Sequence, residues 1–176
     1  VRVVDGQDFA TPEAAGTCFA RDVVYGWVQG RALESLAGHA LWLRGTTSLE
    51  PGEAASLAKR TERALAVLVR AVARVRERNG GRMTFMFRPD GQPLRVDAAG
   101  EIVAGRAIAG DANFSDLFAS KGLVAAGVAL GDAAVRAAGE EYFRHVCDAI
   151  GDGRFVSDQE PLNPRNPTAH APGRRS

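Results

Sequence analysis

The chain has 176 residues, of which 45% are hydrophobic, a length and composition suited to one domain with a buried core. The formal net charge is +1, with 22 basic and 21 acidic residues, so the sequence lacks the basic footprint of a protein that binds nucleic acid or an anionic membrane. It shows neither an apolar run long enough to span a bilayer nor a secretory signal pattern, which predicts a cytoplasmic protein.

The first predicted element is a helix over residues 24–44. Apolar residues recur along it at helical spacing, namely Leu33, Leu36, Ala37, Ala40, Leu41 and Leu43. On its other flank Trp27 and Arg31 lie four residues apart with Glu34 beside them, so all three share one face. These side chains suit a polyhydroxylated ligand, because an indole stacks on C–H surfaces while charged groups bind hydroxyls. The alternative is that Trp27 is a core residue and that Arg31 and Glu34 form a surface ion pair worth about 0.3 kcal/mol.

A second helix is predicted over residues 51–79, with Ser48 as its cap and Pro51 in its first turn. Its apolar stripe is flanked by many charged residues, which form a solvated outer face rather than a nucleic-acid site. An Asn-Gly-Gly sequence at residues 79–81 is expected to end the helix.

A change to strand-like composition follows over residues 83–94. A Pro-Asp-Gly sequence within this stretch has the residues of a tight turn, which predicts a short β-hairpin that covers one end of the helices. Phe85 and Phe87 share one side of the hairpin. Phe85 is expected to pack against the helices, and Phe87 is a candidate for contact with a ligand.

Two further helices are predicted after a loop. Residues 96–114 are rich in glycine and other small residues and are expected to form a loop over one end of the helices. The third helix is predicted over residues 115–130, capped by Ser115 or Asn113, and its many small residues allow neighbouring helices to approach closely. A Gly-Asp turn leads into a fourth helix over residues 132–150.

Residues 25–31 read Tyr-Gly-Trp-Val-Gln-Gly-Arg, and the pattern continues through residues 116–123 to the helix end near residue 150. The first of these segments resembles the aromatic-x-Trp-x-Gln-Gly-Arg motif of the N-acylglucosamine 2-epimerase and cellobiose 2-epimerase family. The resemblance implies an all-α fold, a partial (α/α)6 toroid of antiparallel helix hairpins with a short β-hairpin between helices. On this interpretation residues 1–176 form one domain, the N-terminal half of a larger enzyme, and residues 151–176 form an irregular tail or inter-helix loop.

The chemistry of the resembled family needs a base and a cation. The base removes the proton next to the carbonyl of an open-chain sugar, and the cation stabilises the enediolate. The resemblance implies that Arg31 is this cation. It also implies a histidine on the third helix, but residues 116–121 contain none, so Asp116 and Lys121 would replace it or the base lies beyond Ser176. The candidate catalytic residues are thus Arg31 and Asp116, and the candidate substrate-binding residues are Trp27, Glu34 and Phe87.

The remaining expectations concern cysteines, metals and partners. Cys18 and Cys147 fit no metal or redox spacing and are expected to be buried free thiols, with a disulfide between them as the alternative. No His, Cys, Asp and Glu cluster has ligand spacing, so neither a metal nor a cofactor is expected. The expected partner is a small-molecule carbohydrate, without nucleic acid or membrane, and assembly into a homo-oligomer stays open.

The predicted function is therefore a sugar epimerase or isomerase that removes and returns a proton next to the carbonyl. Two alternatives stay open. The first is an (α/α)6 glycoside hydrolase acting on saccharides that contain uronic acid, with Asp116 as general acid or base and Trp27 as a stacking platform. The second is a non-catalytic carbohydrate-binding helical toroid.

Overall fold

The computed structural model describes residues 22–97, 99, 101–105 and 112–156. Helices make up 66% of these residues, which confirms the expectation of a mostly helical protein. The four helices are α1 (Gly26–Gly45), α2 (Pro51–Arg78), α3 (Phe114–Leu130) and α4 (Ala133–Gly151). Four short strands accompany them, namely β1 (Val24–Tyr25), β2 (Met86–Phe87), β3 (Pro93–Val96) and β4 (Ile102–Ala104).

The ends of α2 follow from backbone chemistry. Pro51 occupies the first turn, where its missing N–H costs no hydrogen bond. The residue that precedes the helix is Glu50, and no side chain caps it, so the predicted cap at Ser48 is wrong. At the other end the N–H of Asn79 donates to the carbonyls of Val75 and Arg76, and the next two residues have φ angles of 66° and 87° that favour glycine.

Side chains define the starts of α3 and α4. Asn113 caps α3, and its side chain accepts from the N–H of Asp116 while the Asp116 carboxylate accepts from the N–H of Asn113. Asn113 was one of the two caps expected from the sequence. Gly131 ends α3 with φ at 66°, and the Asp132 side chain then accepts from the first N–H groups of α4.

The helices form two antiparallel hairpins. In the first, Arg44 near the end of α1 pairs with Glu62 of α2, whereas Gln29 near the start of α1 lines a cavity with Val75 of α2. In the second, Gly127 of α3 contacts Arg136 near the start of α4.

The two hairpins meet along α1 and α3, which run side by side in the same direction. Gly26 lies next to Ser115, Gly30 next to the backbone of Phe118, and Leu33 next to Gly122. An increase in residue number along α1 is thus matched by an increase along α3. The first helix of each hairpin therefore packs on the first helix of the other.

The strands form one antiparallel sheet in the order β1-β2-β3-β4, which corrects the expectation of a simple hairpin. The expected hairpin corresponds to β2 and β3, where Met86 pairs with Leu94. β1 precedes α1 and pairs with β2, and β4 occupies part of the stretch expected to be a loop. The N–H of Gly26 donates to the carbonyl of Phe85 at 2.9 Å, which ties the sheet to the start of α1.

Two clusters of apolar side chains stabilise the molecule. The larger lies between the helices and includes Leu33, Leu65, Val72, Leu123 and Val146, each at most 5% exposed. The smaller lies under the sheet and consists of Phe85, Met86 and Leu94, with Tyr25 and Trp27 packed against it. Phe85 is thus a packing residue, as expected, and it lies against Met86 and Leu94.

The expectations for the cysteines and for residues 151–176 are met in part. Cys147 is a free thiol but is exposed rather than buried, whereas Cys18 lies outside the described residues. α4 extends to Gly151, and Phe155 forms a bridge with Ala112, while the rest of the expected tail, residues 157–176, lies outside the described part. Among the helices the structure describes, none is long and apolar enough to cross a membrane.

Candidate functional site

One exposed face of α1 carries most of the residues expected to bind a ligand. At about 100° per residue, Trp27, Arg31, Glu34, Gly38 and Trp42 fall within about 80° of one another. Gln29, about 200° from Trp27, lines a cavity with Leu68 and Val72 of α2. The set from Trp27 to Trp42, called the α1 face below, is thus turned away from α2.

Two shallow depressions run along the α1 face. The first has a volume of about 640 Å³ and is lined by Trp27, Val28, Arg31, Ala32, Glu34 and Ser35. The second has a volume of about 520 Å³ and is lined by Glu34, Ser35, Gly38, His39 and Trp42. Since Glu34 and Ser35 line both, the depressions adjoin at these two residues. The structure therefore brings Trp27, Arg31 and Glu34 together, as their spacing predicted.

α3 contributes two side chains beside the first depression. The Arg31 guanidinium carbon lies 5.7 Å from the ring centroid of Phe118, and Lys121 Nζ lies 5.7 Å from the same centroid. Lys121 Nζ is also 3.2 Å from Glu34 Oε1. The two distances to the Phe118 ring are within the range of favourable cation–π contacts. Sequence reasoning missed Phe118, and the available signal was its position three residues before Lys121 on one helix face.

Glycines allow α1 and α3 to come this close. A Cβ added to Gly30 would lie 2.4 Å from the carbonyl carbon of Phe118, and one added to Gly122 would lie 2.5 Å from the carbonyl oxygen of Gly30. Backbone lies directly against backbone at these positions. The placement of Phe118 beside Arg31 therefore depends on the absence of side chains at this contact.

Asp116 lies in a different environment, buried with 0% exposure. Its Oδ1 accepts hydrogen bonds from the Met83 N–H at 2.6 Å and from the Tyr142 hydroxyl, and its Oδ2 accepts from the Asn113 N–H at 2.9 Å. Arg82 Nε lies 3.6 Å from Oδ2. We call these five residues the Asp116 cluster. The carboxylate joins the start of α3, α4 and the segment before β2, and it lines neither depression of the α1 face.

Burial dominates the electrostatics of this cluster. Desolvation raises the pKa of Asp116 above 3.8, and the hydrogen bonds from Tyr142 and Met83 together with the charge of Arg82 lower it by less. Desolvation also raises the pKa of Tyr142 well above 10.0, and the neighbouring Asp116 carboxylate adds to this shift. The guanidinium of Arg76 stacks on the Tyr142 ring at 3.6 Å from its centroid. The Asp116 carboxylate itself is closed off from solvent, whereas Arg82 and Tyr142 of the cluster line a depression of about 560 Å³.

Phe87 lies on the opposite side of α1 from Trp27. It is 4% exposed, belongs to the core between the helices, and lines a cavity of about 250 Å³ with Gln29 and Leu68. The candidate residues thus fall into three places. Trp27, Arg31 and Glu34 share the α1 face, Asp116 is buried at the start of α3, and Phe87 is buried between α1, α2 and the sheet.

His39 is an imidazole on the same side of α1. Its Nδ1 lies 2.7 Å from the carbonyl oxygen of Ser35, so Nδ1–H donates to this carbonyl. His39 follows Arg31 by eight residues, about 12 Å along the helix axis. The two side chains are therefore too far apart to act on one reacting carbon.

No protein-family model, curated protein or solved structure matches the chain. Within the described ranges, no three His, Cys, Asp or Glu side chains are arranged to hold a metal ion. On the α1 face, an aromatic ring, a guanidinium and a carboxylate line one open depression, and Lys121 lies beside the carboxylate.

Proposed function

We propose that the first depression of the α1 face binds a sugar and forms part of the active site of a sugar epimerase or isomerase. The observation that carries the proposal is that Trp27 and Arg31 line one depression together with Glu34. The resemblance of residues 25–31 to the 2-epimerase family supports it. So does the packing of two antiparallel hairpins through their parallel first helices, since inner helices of an (α/α)6 toroid are expected to meet in this way.

Each side chain of the depression has a role in this proposal. The Trp27 ring stacks on the C–H face of a sugar, and the Glu34 carboxylate accepts hydrogen bonds from its hydroxyls. Arg31 donates to the carbonyl oxygen and stabilises the negative charge that develops there when the neighbouring carbon loses its proton. Asp116 is assigned to stability rather than to proton transfer, because it is buried and already accepts three hydrogen bonds.

The second candidate function is carbohydrate binding without catalysis. It is favoured by the lining of the first depression, where no described side chain is an imidazole and Glu34 is already paired with Lys121. The hydrolase alternative draws no comparable support, because a general acid must reach the glycosidic oxygen and Asp116 has 0% exposure.

Proton exchange in heavy water separates the two candidates. The full chain is incubated with glucose, N-acetylglucosamine, mannose and cellobiose in D2O, and the C2–H signal of each sugar is followed by NMR. Loss of this signal for one sugar is expected if the chain is an epimerase or isomerase. Binding of a sugar without exchange would assign the non-catalytic function, and the absence of both binding and exchange would reject the proposal.

Replacing Trp27 with alanine is expected to weaken sugar binding about tenfold, because the stacking surface is lost. Trp42→Phe is the matched control. Trp42 is 54% exposed on the same face but lies fifteen residues away, about 22 Å along the axis, so its replacement should leave monosaccharide affinity unchanged. The affinities are measured by NMR titration of the sugar. Equal loss of affinity in both variants would contradict the assignment of the stacking role to Trp27.

A further inference from the structure

The first depression of the α1 face, taken together with Lys121 beside it, carries more positive than negative charge. Arg31 and Lys121 lie at the same distance, 5.7 Å, from the ring centroid of Phe118, and Glu34 is the carboxylate beside them. Two cations thus face one anion. A neutral sugar needs no such excess of charge, because neutral donors and acceptors also bind hydroxyls.

Arg31 combines two features, the lack of an ion pair with a described carboxylate and a position at the wall of a depression. Arg44, Arg88 and Arg136 each form an ion pair with a carboxylate. Among the described residues no carboxylate forms an ion pair with Arg31, whose guanidinium lies against Phe118 at the wall of the depression. A guanidinium carries five N–H donors in a planar fork that matches the oxygens of a carboxylate or phosphate.

Lys121 is able to take part in the same contact. Its ion pair with Glu34 is exposed, with the two side chains 45% and 34% accessible, and such pairs add little stability. An anionic ligand group beside Phe118 can therefore share Lys121 at small cost. The ring of Phe118 is thus a common neighbour of the two cations, each 5.7 Å from its centroid.

We propose that the ligand of the first depression is an anionic sugar, on whose ring Trp27 stacks. Its carboxylate or phosphate is bound by Lys121 and by those of the five N–H donors of Arg31 that are not directed at the carbonyl oxygen. The inference rests on the proposed function and names its substrate class. The separation of Trp27 and Arg31 is one helical turn, about 6 Å along the axis, which is comparable with the length of one hexose ring. The stacking surface and the anion site can thus be reached by one sugar unit.

The test compares glucose, glucuronate and glucose 6-phosphate as ligands of the full chain. The Trp42→Phe variant leaves Trp27 as the one remaining tryptophan of the chain, so its fluorescence reports directly on the depression. At low ionic strength at least one of the anionic sugars is expected to bind about tenfold more tightly than glucose, and added salt should reduce this advantage. The tighter of the two identifies the anionic group as carboxylate or phosphate.

Variants assign the effect to the two cations. In the Trp42→Phe background, Arg31→Met is expected to remove the preference for the anionic sugar, and Lys121→Met should reduce it. Arg31→Lys should keep part of it, because the charge remains while the planar fork is lost. Arg60→Met is the control, since it makes the same change in net charge at an exposed position of α2 that lines neither depression.

The possible outcomes separate the two proposals. Equal affinities for glucose and both anionic sugars would overturn the inference and leave the proposed function in place. An anion preference that survives Arg31→Met would also overturn it. Absence of binding for all three sugars, in a chain shown by circular dichroism to be folded, would overturn the proposed function and with it the inference.

Discussion

Replacing Asp116 with alanine is expected to lower the free energy of unfolding by about 3–5 kcal/mol. The carboxylate is 0% exposed and accepts hydrogen bonds from Met83, Asn113 and Tyr142, and Arg82 lies beside it. Alanine removes all of these acceptors at once and leaves a cavity. The donors come from three separate parts of the chain, so the loss also loosens the contact between α3, α4 and the segment before β2.

Urea unfolding followed by circular dichroism measures this effect. Tyr142→Phe is the graded control, because it deletes one donor of the Asp116 cluster and keeps the ring on which Arg76 stacks. Its expected cost is smaller, about 1–2 kcal/mol. A change below about 1 kcal/mol for Asp116→Ala would show that the cluster contributes little to stability.

The same carboxyl group predicts a pH dependence. Burial raises the pKa of Asp116 in the folded state above its ordinary value of 3.8, so the folded protein holds this proton more tightly than the unfolded chain. The stability gained from the protonated group is complete below about pH 3.8 and is lost as the pH rises through the raised pKa. The unfolding free energy of the protein relative to that of Asp116→Asn should therefore fall with rising pH over this range. A relative stability that increases over the same range would contradict the direction of the shift.

A second large effect is expected for Gly30→Ala, which should lower the unfolding free energy by about 3 kcal/mol. The added Cβ would lie 2.4 Å from the carbonyl carbon of Phe118 and 2.6 Å from the nitrogen of Ala119. Both are backbone atoms, so relief requires α1 and α3 to move apart. Such a movement also shifts Phe118 away from Arg31, and sugar binding on the α1 face should weaken with it.

Gly38→Ala is the matched control for this prediction. It places the same methyl group on the same helix eight residues later, where nothing lies within 4 Å of the added Cβ. Helix propensity then acts alone, and the unfolding free energy should rise by up to about 1 kcal/mol. Thermal and urea unfolding are expected to show a lower unfolding free energy for Gly30→Ala and a higher one for Gly38→Ala. Two changes of the same sign and size would contradict it.

Much of the helical structure could be predicted from the sequence because its signals are local. Leu65 and Val72 of α2 are seven residues apart, which is about two helical turns, and both lie on its apolar stripe. This spacing is the period of an amphipathic helix. Beyond the hairpin of β2 and β3, the sheet could not be predicted because its strands have only two to four residues, too few for alternation to show. β1 pairs with β2 from far along the chain, and no local pattern reports this pairing.

The candidate site divides in the same way. Trp27, Arg31 and Glu34 share a face because helical spacing alone brings them together, and this was predictable. The role of Asp116 depends on Met83 and Tyr142, which are remote in sequence and reach it only through the packing of α3 and α4. Its one local signal was the Asn-x-x-Asp spacing from Asn113, which is typical of a helix start rather than of a catalytic group.

The parallel packing of α1 and α3 has an electrostatic consequence. Each helix carries a macrodipole with a partial positive charge of about +0.5 at its N-terminus, and parallel neighbours place these ends on the same side of the molecule. The first turn of α1 contains no acidic residue to offset it. Trp27 lies in that turn and Arg31 in the next, so the fields of helix and side chain add, and approaching negative ions are steered toward this end.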